Sequence, residues 1–297
     1  MKKGYLSYIF TILIWGTTWY GIKLQIGITP EIWSLAGRYT LAGIIMLLIT
    51  NIIYSKKSPN ILCHAHFLLK GIMMYFLAFM LFYYSSEYIP SGLVAFSVSS
   101  VLIFNIFNDR VINKVTISIK QVALSSIMLI GLIMISASLF NGDVIDVNFG
   151  IISKGVLLAL LGSYCFSIGN IISKNNKEKF NADPGQDNGF SMLYAGILFC
   201  IMGFFTNTAL VIDTSLSYIS SFLYLTIVGS VLSFYLYVKI INQFGPANAG
   251  YVLVYAPVIA LILSMLLENV QGNFLIYFGM TIVVTANYYG IKIQKEN

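Results

Sequence analysis

Charge is scarce in this chain. Asp, Glu, Lys and Arg supply 9% of its 297 residues, while hydrophobic types supply 58% and the mean hydropathy is +0.83; soluble domains carry about 25% charged residues. A water-soluble fold could not cover such a composition with a polar surface. Cysteine is as sparse: there are three, Cys63, Cys165 and Cys200, the last two inside apolar runs, so neither a disulfide framework nor a CxxC redox pair is implied. No GxxxxGK(S/T) phosphate loop, HExxH or GxSxG occurs, which argues against an ATP-driven pump or a standard hydrolase. A membrane-embedded enzyme would show His, Asp or Glu clustered near one face. No such cluster is visible, so an enzyme is not expected, nor a cofactor. Cys63-His64-Ala65-His66 superficially resembles a metal cluster, but it lies in one short segment without matching ligands elsewhere, and no metal is expected.

What the chain has is long apolar runs. A membrane pass needs about 20 mostly apolar residues, and in lipid such a run must be helical. Ten are predicted, at 5–24, 32–53, 67–86, 91–107, 119–139, 151–172, 189–207, 217–241, 247–267 and 273–292. Turn chemistry separates them, as in Gly27-Ile28-Thr29-Pro30, Lys56-Lys57-Ser58-Pro59-Asn60, Asn141-Gly142-Asp143, Asp183-Pro184-Gly185 and Gly245-Pro246. The first run has no small-residue cleavage site before Lys23 and reads as a retained helix.

A net charge of +6 often signals a nucleic-acid partner, but here the basic residues gather between alternate runs. With the amino terminus inside, fourteen of the 17 Lys and Arg fall on the inner side, Lys70 among them; Lys23 and Lys154 are outer, and Arg38 lies within a helix. That asymmetry predicts a multi-pass protein of the inner membrane with both termini cytoplasmic. The expected partners are a lipid bilayer and a small-molecule substrate, with no nucleic acid, in a monomer or weak homodimer.

Two halves are visible. Tyr20-Gly21-Ile22-Lys23 matches Ile171-Ile172-Ser173-Lys174 at an offset of 151 positions, and Ile89-Pro90-Ser91-Gly92 parallels Gly245-Pro246-Ala247-Asn248 at 156. Five helices per half is an odd number, so the second half enters the membrane upside down. The expectation is an all-α integral membrane protein of two inverted five-helix repeats, at 1–140 and 141–297, the arrangement of secondary transporters.

The chain resembles the EamA-type ten-helix transporters of the drug/metabolite transporter superfamily. The residues are Ile14-Trp15-Gly16-Thr17-Thr18-Trp19 through Lys23, Pro30-Glu31 with Gly37-Arg38-Tyr39 and Ala42-Gly43, Ile89 to Ala95, Gly245-Pro246-Ala247, and Tyr255-Ala256-Pro257-Val258 ending at Glu268. The resemblance covers almost the whole chain. It departs from the family pattern at Ser97-Val98-Ser99-Ser100-Val101, which lacks a mid-helix proline, and at Asp109-Arg110, where Glu-Arg is usual. It implies import or export of metabolites, amino acids, nucleobase-like compounds or drugs without choosing among them. A sensor or assembly protein without transport activity is the alternative.

Arg38 is the most informative residue. A charge on the lipid face of a helix costs about 2.5–3.5 kcal/mol on insertion scales, so the side chain should face the bundle interior or a watery cavity. Two roles fit: an anchor for a substrate carboxylate or phosphate, or a snorkelling or helix-bridging arginine that bonds backbone carbonyls. The carboxylates Glu31, Glu87, Asp109, Asp143, Asp146, Asp213 and Glu268 all fall at ends or in loops, so a mid-membrane carboxylate relay gets no support. Trp15, Trp19, Tyr39, Tyr83, Tyr235, Tyr251 and Tyr255 are candidates for an aromatic-lined cavity, as are Asn105 and Asn170, although interface anchoring, packing and interhelical hydrogen bonds are the commoner jobs of such residues. Pro257 is a candidate hinge or a static kink. Gly155, Ala159, Ser163 and Ser167 form a small-residue stripe that reads as packing.

Overall fold

The computed structural model describes residues 2–53, 59–114, 119–138 and 149–296. Among them every regular element is helical, and the chain makes ten passes. They are α1 (Lys2–Lys23), α2 (Glu31–Leu47, continued by a π-helical stretch Leu48–Ile53), α3 (Ile61–Lys70, a π stretch Gly71–Leu77, then Ala78–Tyr88) and α4 (Ser91–Val98 and Val101–Asn113). Next come α5 (Ile119–Ser138), α6 (Phe149–Phe180) and α7 (Pro184–Phe205). The run Leu216–Leu223 continues through a π stretch, Tyr224–Leu232, into the helical run Ser233–Leu267, and Phe274–Glu296 is α10. Tyr237 packs on Trp15 while a Cβ built on the neighbouring Gly16 would meet Ile259. In a straight helix those two residues would be about 33 Å apart. The run therefore folds back between Ile240 and Val252, and its two arms are α8 and α9.

Six of these helices, Glu31–Ile52, Ile61–Tyr88, Ser91–Asn113, Gly150–Phe180, Pro184–Phe205 and Leu216–Ile240, are long and apolar enough to cross a membrane, and Tyr255–Leu267 and Phe274–Ala286 are shorter apolar helices. Where α6 and α7 outrun the sequence expectation, they do so with polar residues. α6 continues from 172 to Phe180 through Lys174-Asn175-Asn176-Lys177, and α7 starts at Pro184 instead of 189 because Asp183 caps Gly185 N and Pro184 occupies the first turn. Hydropathy detects the stretch inside lipid, not the full helix. Lys56-Lys57-Ser58 and Asn141 to Asp146 lie outside the described residues, as do the side chains of Gly245-Pro246-Ala247 and of Tyr251.

Lys23 at the end of α1 donates to Ser86 O at the end of α3, so these two helices run parallel, and Trp33 of α2 bonds Thr208 beyond α7 at the same end. This end is the opposite face; the other, where α1 begins, is the amino-terminal face. Several of the largest contacts follow one pattern: replace each helix by the one five places along and the pair maps onto itself or onto another observed pair. α2 packs on α7, α5 on α10 and α4 on α9, each its own image, while α3 against α6 is mirrored by α8 against α1. Glycines sit at these seams. A Cβ at Gly43 would strike the backbone of Gly189 and Leu193, and Gly131 of α5 and Gly279 of α10 each face the other's carbonyl.

Polarity is inside out. Phe205, Phe204 and Leu157 are exposed, whereas Arg38, Lys70, Asn108, Asp187 and Asn188 are buried. Apolar side chains suit a lipid exterior, and polar ones must find partners within the bundle.

Candidate functional site

Seven helices line a central cavity. α1 contributes Trp15, Thr18, Trp19 and Ile22, spaced to occupy one helix face. α2 supplies Arg38, α3 Phe79 and Phe82, α4 Ala95, Val98 and Ser99, and α6 Phe166; Gly229 and Phe234 come from α8 and Leu253, Ala256 and Pro257 from α9.

Four rings form the cavity's aromatic box. Trp15 packs on Phe166 and Phe234 at centroid distances of 6.5 and 5.4 Å, Phe79 lies 6.3 and 6.2 Å from the same two rings, and Phe166 is 6.2 Å from Phe234. Trp15 and Phe166 are 151 positions apart, and Phe79 and Phe234 are 155 apart. These lie within one residue of the offsets of 151 and 156 between the two halves, so the box pairs corresponding positions.

Arg38 stands beside the box, 1% exposed. Its Nε donates to Ser230 Oγ at 3.0 Å and its Nη1 to Tyr83 Oη at 3.2 Å, and Tyr83 in turn donates to Gln25. The guanidinium carbon lies 5.3 Å from the Tyr39 ring centroid and 5.2 Å from that of Phe79. All these partners are neutral. Among the described residues no carboxylate pairs with Arg38, whose positive charge is therefore buried without a counter-ion.

The other candidates divide. Trp15 and Trp19 line the cavity, and Trp19 meets Phe82 edge-on. Tyr83 reaches the site only through Arg38. Tyr39 packs away from the cavity between Tyr75, Phe79 and Phe199, its buried hydroxyl unpartnered. Asn105 and Asn170 face each other between α4 and α6 at 3.5 Å, outside the lining. Tyr235 is half-buried against the core without touching the cavity. Tyr255 is 42% exposed and points away from it, because the cavity side of α9 is taken by Leu253, Ala256 and Pro257.

Pro257 lines the cavity, yet the helix is unbroken there. The interruption falls instead in α4, at Ser99-Ser100, where Ser99 Oγ donates to Leu253 O of α9 at 3.2 Å. In the stripe on α6, Gly155 approaches Ile89, Ser163 bonds its own helix at Ala159 O and Ser167 accepts from Asn108, which are packing contacts. Of the metal-like segment, His64 Nδ1 lies 2.7 Å from Tyr194 Oη and His66 packs on Phe180; among the described residues no three His, Cys, Asp or Glu side chains gather as a metal site.

The sequence reading missed a second polar centre. Lys70, taken there as an inner-side charge, is fully buried in α3, and its Nζ bonds Asp187 Oδ2 at 2.6 Å, Asn188 Oδ1 at 2.7 Å and Ser173 Oγ at 3.2 Å. The expected start of helix seven at 189 leaves Asp187 outside the apolar run. The signal was present: Lys70 already lay inside the run predicted at 67–86, and a charge within a span requires a partner.

A family model described as the EamA-like transporter family matches residues 2–137 and again residues 153–289. In Escherichia coli strain K12, the protein described as the uncharacterized inner membrane transporter YedA is 24% identical over 276 residues, which cover 92% of this chain and 86% of that protein. Its counterparts in E. coli O6:H1 and O157:H7 match to the same degree. A solved crystal structure superposes with a TM-score of 0.70 at 13% identity, covering 100% of this chain and 99% of the other, a likeness of fold.

Proposed function

The chain belongs to the EamA-like transporter family, and from that premise we propose that it carries a small organic solute with an anionic or zwitterionic group across the inner membrane. It does so without nucleotide hydrolysis, by alternating access through the central cavity. The observation that carries this reading is the buried guanidinium of Arg38, which borders the cavity and has only neutral partners. A cation withdrawn from water needs charge compensation. Here a carboxylate or phosphate of the solute supplies it, and the rest of the solute lies against Trp15, Trp19 and Phe79. The relatives named as inner membrane transporters support the location. The halves 1–140 and 141–297 act as the two repeats, and the two-fold relation within the aromatic box supports a site that either half can expose. The cavity itself disfavours a sealed sensor or assembly protein.

The test begins with a screen of solutes by thermal stabilisation, followed by counterflow in proteoliposomes. For the solute found, Arg38→Ala removes a charge-assisted contact of about 1.5–3 kcal/mol and is expected to weaken affinity by roughly 10- to 150-fold. Arg38→Lys should restore only part, because an ammonium lacks the two-pronged geometry. Normal counterflow by a well-folded Arg38→Ala protein would assign Arg38 to structure.

A further inference from the structure

We propose that the Lys70–Asp187–Asn188 cluster is the gate closing the cavity on the amino-terminal face, and that the π stretch Gly71–Leu77 is the hinge on which it opens. The proposal rests on the transport reading above.

The cluster ties four helices together. Lys70 of α3 spends all three ammonium protons on Asp187 and Asn188 of α7 and Ser173 of α6. Asp187 also accepts from Ser173 and from Asn176 Nδ2 at 2.8 Å, and Tyr75 donates to Asn188 Oδ1 at 2.8 Å. Asn188 Nδ2 reaches the Phe234 carbonyl of α8 at 3.3 Å. Phe234 belongs to the aromatic box, and the Tyr75 ring lies 5.2 Å from it, so the polar cluster follows directly beneath the cavity. Lys70 precedes Phe79 by nine residues, about 14 Å along a helix axis. A solute leaving toward the amino-terminal face would have to pass between these side chains.

Charge chemistry explains why the seal is polar. A buried ion pair stabilises a bundle no better than apolar packing would, but when it parts into a water-filled passage both charges are hydrated. An apolar seal would lose its burial on opening. An ionic latch therefore keeps the closed and open states close in energy, as a gate requires.

The hinge is marked by the backbone. A π-helical turn holds one residue more than an α turn and commonly occurs at functional sites. The stretch Gly71–Leu77 lies between Lys70 and Phe79, and its equivalent in the second half, Tyr224–Leu232, ends two residues before Phe234. Converting one such turn to α geometry rotates the Lys70 end by roughly 100° relative to Phe79, which withdraws the ammonium from Asp187. The equivalent stretch carries Ser230, the acceptor for Arg38, so the second hinge is linked to the solute site.

The experiment reads access from each side and needs no substrate, so its failure and that of the Arg38 test are separable. In a background with Cys63, Cys165 and Cys200 changed to Ser, Ser99→Cys places one thiol on the cavity wall. Oriented vesicles are treated with a membrane-impermeant maleimide from either face. With the native cluster, labelling from the amino-terminal face should be slow. Asp187→Asn, and the double variant Lys70→Gln/Asp187→Asn, which leaves no unpaired buried charge if the single variant fails to accumulate, should raise that rate by at least about tenfold, a shift of roughly 1.4 kcal/mol toward the open state. Unchanged labelling from the amino-terminal face in a monodisperse double variant would overturn the gate.

Discussion

Gly43→Ala tests whether the α2–α7 seam is as close as the structure places it. A Cβ on Gly43 would lie 2.7 Å from Leu193 N, 2.9 Å from Leu193 Cα and 2.9 Å from Gly189 O, all backbone atoms. None can swing aside, so the two helices must part by several tenths of an ångström. Overpacking of this kind costs about 1–3 kcal/mol. Alanine also helps a helix by about 0.8–1.0 kcal/mol over glycine, which leaves a net loss of roughly 0–2 kcal/mol. Gly37→Ala, on the same helix, is the internal control: its Cβ meets only the ring edge of Phe222, at 3.1 and 3.3 Å, and a side chain can yield. The helix-forming gain is common to both variants and cancels in the comparison. Gly43→Ala should therefore be less stable than Gly37→Ala by about 1–3 kcal/mol, read by equilibrium unfolding in mixed detergent micelles. Equal stability, or a more stable Gly43→Ala, would show that the α2–α7 contact is looser than described, and with it the depth at which α2 holds Arg38, five residues away.

The two ion pairs should respond very differently to truncation. Asp187→Ala strands a fully buried ammonium and should cost about 3–5 kcal/mol, whereas Asp109→Ala, whose partner Lys174 lies 3.2 Å away with both side chains about a quarter exposed, should cost less than about 1 kcal/mol; the same micelle unfolding assay compares them, and similar losses would refute the burial assigned to Lys70. On topology, reporter fusions after Lys120 and Lys179 should both report cytoplasm, as the distribution of basic residues requires, and periplasmic signals from both would reverse the orientation.

The passes were legible because a lipid solvent imposes a simple rule, that about 20 apolar residues form a helix. Even the offsets of 151 and 156 residues, taken from short weak matches near Lys23 and Pro90, reappear as the spacing of Trp15 from Phe166 and, within a residue, of Phe79 from Phe234. Helix ends were less visible where polar residues continue the helix past the apolar run, as at 174–180. The site was legible in outline only. Arg38 stood out because a charge within an apolar run demands an interior, but Tyr39, Tyr235 and Tyr255 were named by residue type, and type does not say which way a ring points around a helix.

By itself, then, the amino-acid order determined the membrane class, the number of passes and the doubling of the chain, since each follows from local hydropathy and from counting. The tertiary structure alone decided that Tyr255 faces outward while its neighbour Ala256 lines the cavity, that α4 breaks at Ser99-Ser100 while α9 runs through Pro257, and that Lys70 meets a carboxylate 117 positions away. The physical reason is that rotation about a helix axis is set by the packing of neighbouring helices, and an ion pair between α3 and α7 exists only once the helices that carry its two charges have been brought side by side.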